Sequence, residues 1–447
     1  MRPRRGTGSG VRGERLLLRG ARLFDPAGGI DETADLLVAD RRIVDIGSNL
    51  DTKGARVLDL EGFLLTPGLV DIHAHLREPG QEAKETIATG AAAAAAGGFT
   101  TVCAMPNTEP VIDSPDRIAL VRARASRARA ARVLPIAAAT RGSEGREPTD
   151  AGALRAAGAV ALSDDGRPIA TAGILARVLA GASEAGIVVA DHCEDPTISR
   201  GGAVRAGLIS DRLGVRGVPP EAESDAVARD LEVLGEAGGR LHLCHLSTAS
   251  SVDLVRAAKE DGLEVTSEAT PHHLVATDQL VLEKGSAAKM NPPLGDEADQ
   301  LALRLALADG TIDCIATDHA PHTAEEKAKG VAEAPFGVVG LETAFALLYT
   351  ELVMTEVITL EVLVDRLTQG PARTFGLEVT RLEPGSRADL AVFDPETEWV
   401  VDPERFRSKA RNTPFAGWPL KGRPVLTLVA GRLVHDIRTG RREAGGP

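Results

Sequence analysis

The sequence predicts an α/β protein: a (β/α)8 TIM-like barrel with a smaller β-sandwich domain formed by the N- and C-terminal segments. Three observations carry this reading. In the middle of the chain, short apolar or β-branched runs end in polar clusters and alternate with Ala-rich helical patterns, as parallel βαβ units do. Eight such runs occur, the number that closes a barrel of roughly 250 residues or more. Both ends of the chain read instead as short strands and turns. A length of 447 residues suits one large core plus a smaller one. A doubly wound open sheet is the alternative, but no GxGxxG follows the first run.

In chain order, residues 1–66 form the first part of the sandwich, with RLLLRGARLFD, ADLLVADRRIVDIG and ARVLDLEGFLLTPG as its strands. Within it, the basic, Gly-rich residues 1–13 are expected to be disordered; no apolar stretch follows that would make them a secretory signal. Residues 67–370 form the barrel. Its runs are GLVDIHAHL (68–76), FTTVCAMPN (99–107), RVLPIAAAT (132–140), GAVALSDDG (158–166), GIVVADHCED (186–195), RLHLCHLS (240–247), LEVTSEATP (263–271) and IDCIATDHAP (312–321). Helical patterns lie between most of them, such as 85–97 and 114–132. Residues 371–447 complete the sandwich with SRADLAVFDP and PVLTLVAGRLVHD.

Composition narrows the function. Charged residues at 26% and hydrophobic residues at 43% exclude a disordered chain. A net charge of −13 argues against nucleic acid as a partner. No apolar run reaches the roughly 20 residues that span a bilayer. Cys103, Cys193, Cys244 and Cys314 are widely spaced and form no CxxC. They read as buried free thiols of a cytoplasmic protein. Aromatics at 3% leave the core to Ala, Val, Leu and Ile.

The chemistry gathers at the strand ends, where barrel active sites lie. The first run ends in His73-Ala-His75, and residues i and i+2 of a strand share a face. Two imidazoles can therefore address one metal ion. The fifth run ends in His192, the sixth in His245 and the eighth in Asp318. A lone histidine is more often a packed or surface residue; four at three strand ends, with an aspartate at a fourth, point to metal. Alternation turns Cys193 and Cys244 toward the helix layer, and His242 away from the face of His245. The ligands exceed what one catalytic zinc needs, so two metals with a bridging ligand are expected. Ser163-Asp164-Asp165-Gly166 supplies a candidate for the bridge, one of its two aspartates being expected to point inward.

Together, HAHLREPG, AMPNTEP, SDDG, ADHCED, CHLSTA, EATPHHL, KMNPPL, ATDHAPHTAEEK and APFGVVGLETA resemble dihydroorotases of the amidohydrolase superfamily, in their bacterial branch with a bridging aspartate. The resemblance covers nearly the whole chain. It implies two Zn2+ per subunit, His73, His75 and Asp318 holding one, His192 and His245 the other, and Asp165 bridging both, with Asp164 pointing elsewhere. It implies that Arg77, Asn107 and His322 grip a substrate carboxylate, that Asn291 contacts substrate, and that Phe336 and Gly337 offer backbone contacts. It leaves His272 and His273 without a metal role. The implied reaction is reversible cyclisation of N-carbamoyl-L-aspartate to L-dihydroorotate in de novo pyrimidine biosynthesis, with a bridging hydroxide as nucleophile and Asp318 as general acid/base. A homo-oligomer is expected, with an aspartate carbamoyltransferase as a further partner.

Two residue-level facts weigh the alternatives. Hydantoinases and dihydropyrimidinases bridge their metals with a carboxylated lysine lying between the HxH pair and the third histidine. Here no lysine occurs between Lys84 and Lys259, so an aspartate must serve. Arg77, two residues after His75, offers a planar fork that suits a carboxylate, which neutral rings lack. An allantoinase or hydantoinase-type enzyme is the same-class alternative. A silent scaffold for aspartate carbamoyltransferase is the other, and the full ligand set speaks against it.

Overall fold

The computed structural model describes residues 15–169 and 171–438. The expectation of disorder for residues 1–13 lies outside them. Each of the eight central runs contains a strand: Leu69–Ala74, Phe99–Ala104, Arg132–Pro135, Ala161–Leu162, Val188–Asp191, Leu241–Leu243, Val265–Ala269 and Cys314–Ile315. Neighbours pair in parallel. Two isolated parallel bridges complete the circuit. Ala137 joins Leu162 between the third and fourth strands, and Ala74 joins His319 between the first and last.

Two apolar layers flank this circuit. Inside lie Val70, Ile72, Met105, Ile136, Ala161, Val188, Ala190 and Ala316, with Phe375 from helix Gln369–Phe375 packed among them. Outside, the alternate strand residues meet the helices. Helix Ile87–Ala96 presents Ala91, Ala93, Ala94 and Ala95, all buried, so its small side chains admit close packing. Its start is fixed by Thr86, whose side chain accepts from the Thr89 N–H. Helix Pro115–Ala128 ends at Arg129, in the left-handed region.

Both chain ends enter one eight-stranded sheet with its own core of Leu16, Leu18, Leu36, Leu390, Val392 and Leu426 among others. Leu64–Pro67 pairs antiparallel with Leu390–Asp394, so the two ends meet directly before the first ring strand begins. Phe393 of this sheet stacks on Phe345 with ring centroids 3.7 Å apart, and Thr427 Oγ1 donates to the Ala95 carbonyl at 2.7 Å. These contacts tie the sheet to the helix layer. Among the described residues, no helix is long and apolar enough to cross a membrane. All four cysteines are free and buried.

Gly97 closes helix Ile87–Ala96 in an ordinary right-handed conformation, so sterics alone decide its identity. A Cβ there would stand 1.9 Å from the Leu341 carbonyl oxygen. Gly97→Ala is expected to cost about 1–3 kcal/mol of stability, measured as a lowered Tm. An unchanged Tm would mean that the Leu341 segment yields freely.

Candidate metal centre

The strand ends bring their polar groups to one point by three local devices. The first is an irregularity of register between Asp71 and Ala74. Below it Val70 and Ile72 face inward; above it His73 and His75 do, because one extra residue reverses the alternation. The second is plain alternation: Ala161, then Asp165, and Val188 and Ala190, then His192, lie on inward positions. The third is left-handed backbone. His245 has φ 32° and Asp318 φ 42°, which turn both side chains into the site just past their strands. Such conformations cost of order 1–3 kcal/mol for a non-glycine residue and cluster at functional sites.

His73, His75, Asp165, His192, His245 and Asp318 are all buried. His75 Nε2 stands 3.0 Å from Asp318 Oδ1 and 3.3 Å from Asp165 Oδ2. His73 Nε2 lies 3.4 Å from Asp165 Oδ1 and 3.6 Å from Asp318 Oδ1. On the other side, His192 Nδ1 and His245 Nε2 are 2.9 Å apart, each 3.4 Å from Asp165 Oδ1. Asp165 thus faces both groups. Tetrahedral bonds of about 2.0–2.1 Å would set ligand atoms about 3.3 Å apart, and these separations match. His73 Nε2 and Asp165 Oδ1 are buried without hydrogen-bond partners, as expected of atoms awaiting a cation. The donor set fits two Zn2+.

Behind the ligands, carboxylates and amides fix the rings. Glu268 takes His73 Nδ1 at 2.6 Å on one oxygen and His242 Nε2 at 3.0 Å on the other. Burial alone would raise the Glu268 carboxyl; the two histidines hold it at about 2. Glu194 stands 3.1 Å from His192 Nε2, which leaves Nδ1 for the centre. Asp164 points away, as expected, accepting from the Thr140 N–H and hydroxyl. Asp71 accepts from Thr317 and so joins the first strand to the last. Glu268, Glu194 and Asp71 were not singled out in the sequence. For Glu268 and Asp71 the usable signal was an acid inside a buried strand, which rarely persists unpaired; Glu194 lies beyond its strand and carried no such signal.

Two expectations are corrected. Cys244 does not face the helices; it sits in the interior layer, close to His73 and Asp165. His242 shares that face, reaching Glu268 and Thr266. The physical reason is His245: its left-handed backbone breaks the alternation on which both inferences relied. Cys193 does face outward, toward Asp230. Gly337 is bonded within the protein: its N–H donates to the Lys289 carbonyl at 3.0 Å, and its own carbonyl accepts from both Lys327 and Asn412. A Cβ at Gly337 would meet Ala320 at 2.7 Å, and its φ of 127° also favours glycine.

At the mouth, Arg77 is 8% exposed yet has no carboxylate within ion-pair distance among the described residues. Nε donates to the Pro321 carbonyl at 3.3 Å, and Nη2 lies 3.4 Å from His322 Nε2. Burial brings its guanidinium down to about 10, against the opposing pull of Asp318 and Asp165. His322 is therefore at Arg77, where expected. Asn107 lies at the centre but is tied to it: Oδ1 meets His75 Nδ1 at 2.9 Å and Nδ2 the Asp165 carbonyl at 3.4 Å. Asn291 Nδ2 donates to Glu194 at 2.8 Å, beside His192. Phe336 lies under the Lys289 ammonium, 4.5 Å from ring centroid to Nζ. His272 and His273 are buried beside each other, His273 bonded to Thr270 and to the Pro292 carbonyl.

The chain is similar to known proteins in both sequence and fold. The dihydro-orotase-like family pattern matches residues 62–251. A dihydroorotase of Pelotomaculum thermopropionicum is 49% identical over 96% of this chain and 100% of its own. Another, of Geobacillus kaustophilus, is 52% identical over 87% of this chain and 90% of its own. Among solved structures, an L-hydantoinase of Arthrobacter aurescens superposes with a TM-score of 0.84 at 27% identity, covering 95% of this chain and 96% of that one. A dihydropyrimidinase of Brevibacillus agri gives 0.82 at 25%, covering 94% and 95%.

Glu268 orients His73 without reaching the centre. Glu268→Gln is expected to weaken Zn2+ binding by about 10–100-fold, read by competition with a chelator. Wild-type affinity in that variant would remove Glu268 from metal binding.

Proposed function

The chain belongs to the dihydroorotase family, and from that premise we propose that it interconverts N-carbamoyl-L-aspartate and L-dihydroorotate in pyrimidine biosynthesis. The observation that carries the substrate is Arg77. A buried guanidinium without a carboxylate is costly, and a carboxylate-bearing ring at the mouth of the His/Asp cluster would supply one. The hydantoinase-like structures share the fold, but this chain has no lysine between Lys84 and Lys259 that could serve as a carboxylated-lysine bridge. Asp165, facing both histidine groups, supports the aspartate bridge instead.

The closed circuit of eight parallel pairings supports a (β/α)8 barrel over 67–370. The sheet built from both ends supports a second domain from 1–66 and 371–447. Four buried free thiols support a reducing, cytoplasmic setting.

Two Zn2+ held by His73, His75 and Asp318 and by His192 and His245, with Asp165 between, would supply Lewis acidity and a water acidic enough to attack near neutral pH. The residues do the rest. Arg77 and His322 hold the substrate carboxylate and so orient the ring amide toward Asp318. In hydrolysis, oxygen from water bonds to the ring carbonyl carbon. Asp318 takes the proton of that water and delivers it to the ring nitrogen as the C–N bond breaks. Glu268 and Asn107 keep the His73 and His75 rings fixed throughout. In cyclisation a free carboxylate becomes a neutral amide carbonyl and one proton is consumed. Lower pH therefore favours ring closure.

Zinc-loaded protein is expected to hydrolyse L-dihydroorotate, followed by loss of the ring-amide ultraviolet absorbance, and to leave dihydrouracil intact. Turnover of dihydrouracil or allantoin with none of dihydroorotate would contradict the assignment. Arg77→Ala is expected to raise KM by about ten- to a hundred-fold; an unchanged KM would place the carboxylate elsewhere. Asp318→Asn is expected to abolish turnover with the fold intact, and retained activity would move proton transfer to another group.

A further inference from the structure

The segment that follows His322 is held by a cation that the reaction does not need. Lys327 ends the short helix Ala324–Lys327 and is 8% exposed. All three donors of its ammonium are engaged: Lys289 O at 3.2 Å, Pro335 O at 3.1 Å and Gly337 O at 3.0 Å. Among the described residues no carboxylate pairs with it. A buried lysine with only neutral acceptors costs stability that an apolar side chain of similar length would not.

The three acceptors tell what the cation joins. Lys289 is two residues from Asn291, which bonds Glu194 behind the centre. Pro335 and Gly337 bracket Phe336. The Gly337 carbonyl takes a second donor from the opposite partner, Asn412 Nδ2 at 3.0 Å. That same amide donates to Ala320 O at 3.0 Å, its oxygen accepts from the His322 N–H at 3.1 Å, and the Asn412 carbonyl accepts from Val339 N–H at 2.9 Å. His322 in turn touches Arg77. One connected polar network thus runs from Lys327 through Gly337 and Asn412 to the Arg77 guanidinium.

We propose that Lys327, acting through Gly337 and Asn412, is a positioning residue that presets the 335–337 loop and the Arg77–His322 pair for the substrate carboxylate. This rests on the dihydroorotate reading above and extends it. Lys327 touches neither the ligands nor the site of proton transfer, so its contribution lies in binding rather than in chemistry. Burial, with the Lys289 charge beside it, also brings the Lys327 ammonium down to about 7, as expected of a cation kept from solvent.

The test uses the zinc-loaded full chain. Lys327→Met keeps the side-chain length and removes the donors. The expected result is a KM for dihydroorotate raised about ten-fold with kcat within about two-fold. Zinc content stays unchanged, and amide hydrogen exchange is faster in the peptide spanning 330–338. If Met at 327 prevents folding, Lys327→Ala replaces it, and propylammonium, but not propanol, is expected to restore KM. Wild-type KM and exchange in the variant would overturn the proposal. So would kcat and KM worsening in step with a lowered Tm, or rescue by propanol. Wild-type protein that does not turn over dihydroorotate would instead sink the substrate reading, and the exchange measurement would still decide the role of Lys327.

Discussion

Asp165 faces His73, His75, His192 and His245 from 3.3 to 3.4 Å, all five side chains buried. A carboxylate and four imidazoles at that density are stable only with charge shared among them. The surroundings are built to keep the groups converged. The circuit of parallel strands supplies the directions. The register irregularity at Asp71–Ala74 and the left-handed turns at His245 and Asp318 supply the corrections that regular strands could not make. Glu268, Glu194 and Asn107 then fix which ring nitrogen faces inward.

The same economy governs the mouth. Arg77 also has a left-handed backbone, φ 59°, which swings it off the end of the first strand toward Pro321 and His322. Residues separated by more than two hundred positions meet there because Ala74 pairs with His319. The sheet formed by both chain ends contributes as well. Asn412 lies in the segment between its strands and reaches into the loop after Cys314–Ile315. The segment between its strands therefore reaches the Arg77–His322 end of the cluster.

Much of this was readable in the residues. Eight runs of apolar residues ending in polar clusters marked all eight strands, because each strand buries both faces and changes character where it leaves the core. The six converging groups were legible for the same reason. What escaped was local. Period-two alternation placed Cys244 and His242 wrongly because nothing in CHLS signals that His245 adopts positive φ. Nothing in the sequence marks Lys327 or Asn412, since spacing carries no trace of partners that lie far along the chain.

The proposed reaction requires a centre that holds two metals about Asp165. Diffraction from crystals of active, zinc-loaded protein on either side of the zinc absorption edge tests it most directly. Two anomalous peaks are predicted, about 3.5–4 Å apart, one beside His73, His75 and Asp318, the other beside His192 and His245, with the Asp165 carboxylate between them. A single peak, or a pair that leaves Asp165 uncoordinated, would contradict it.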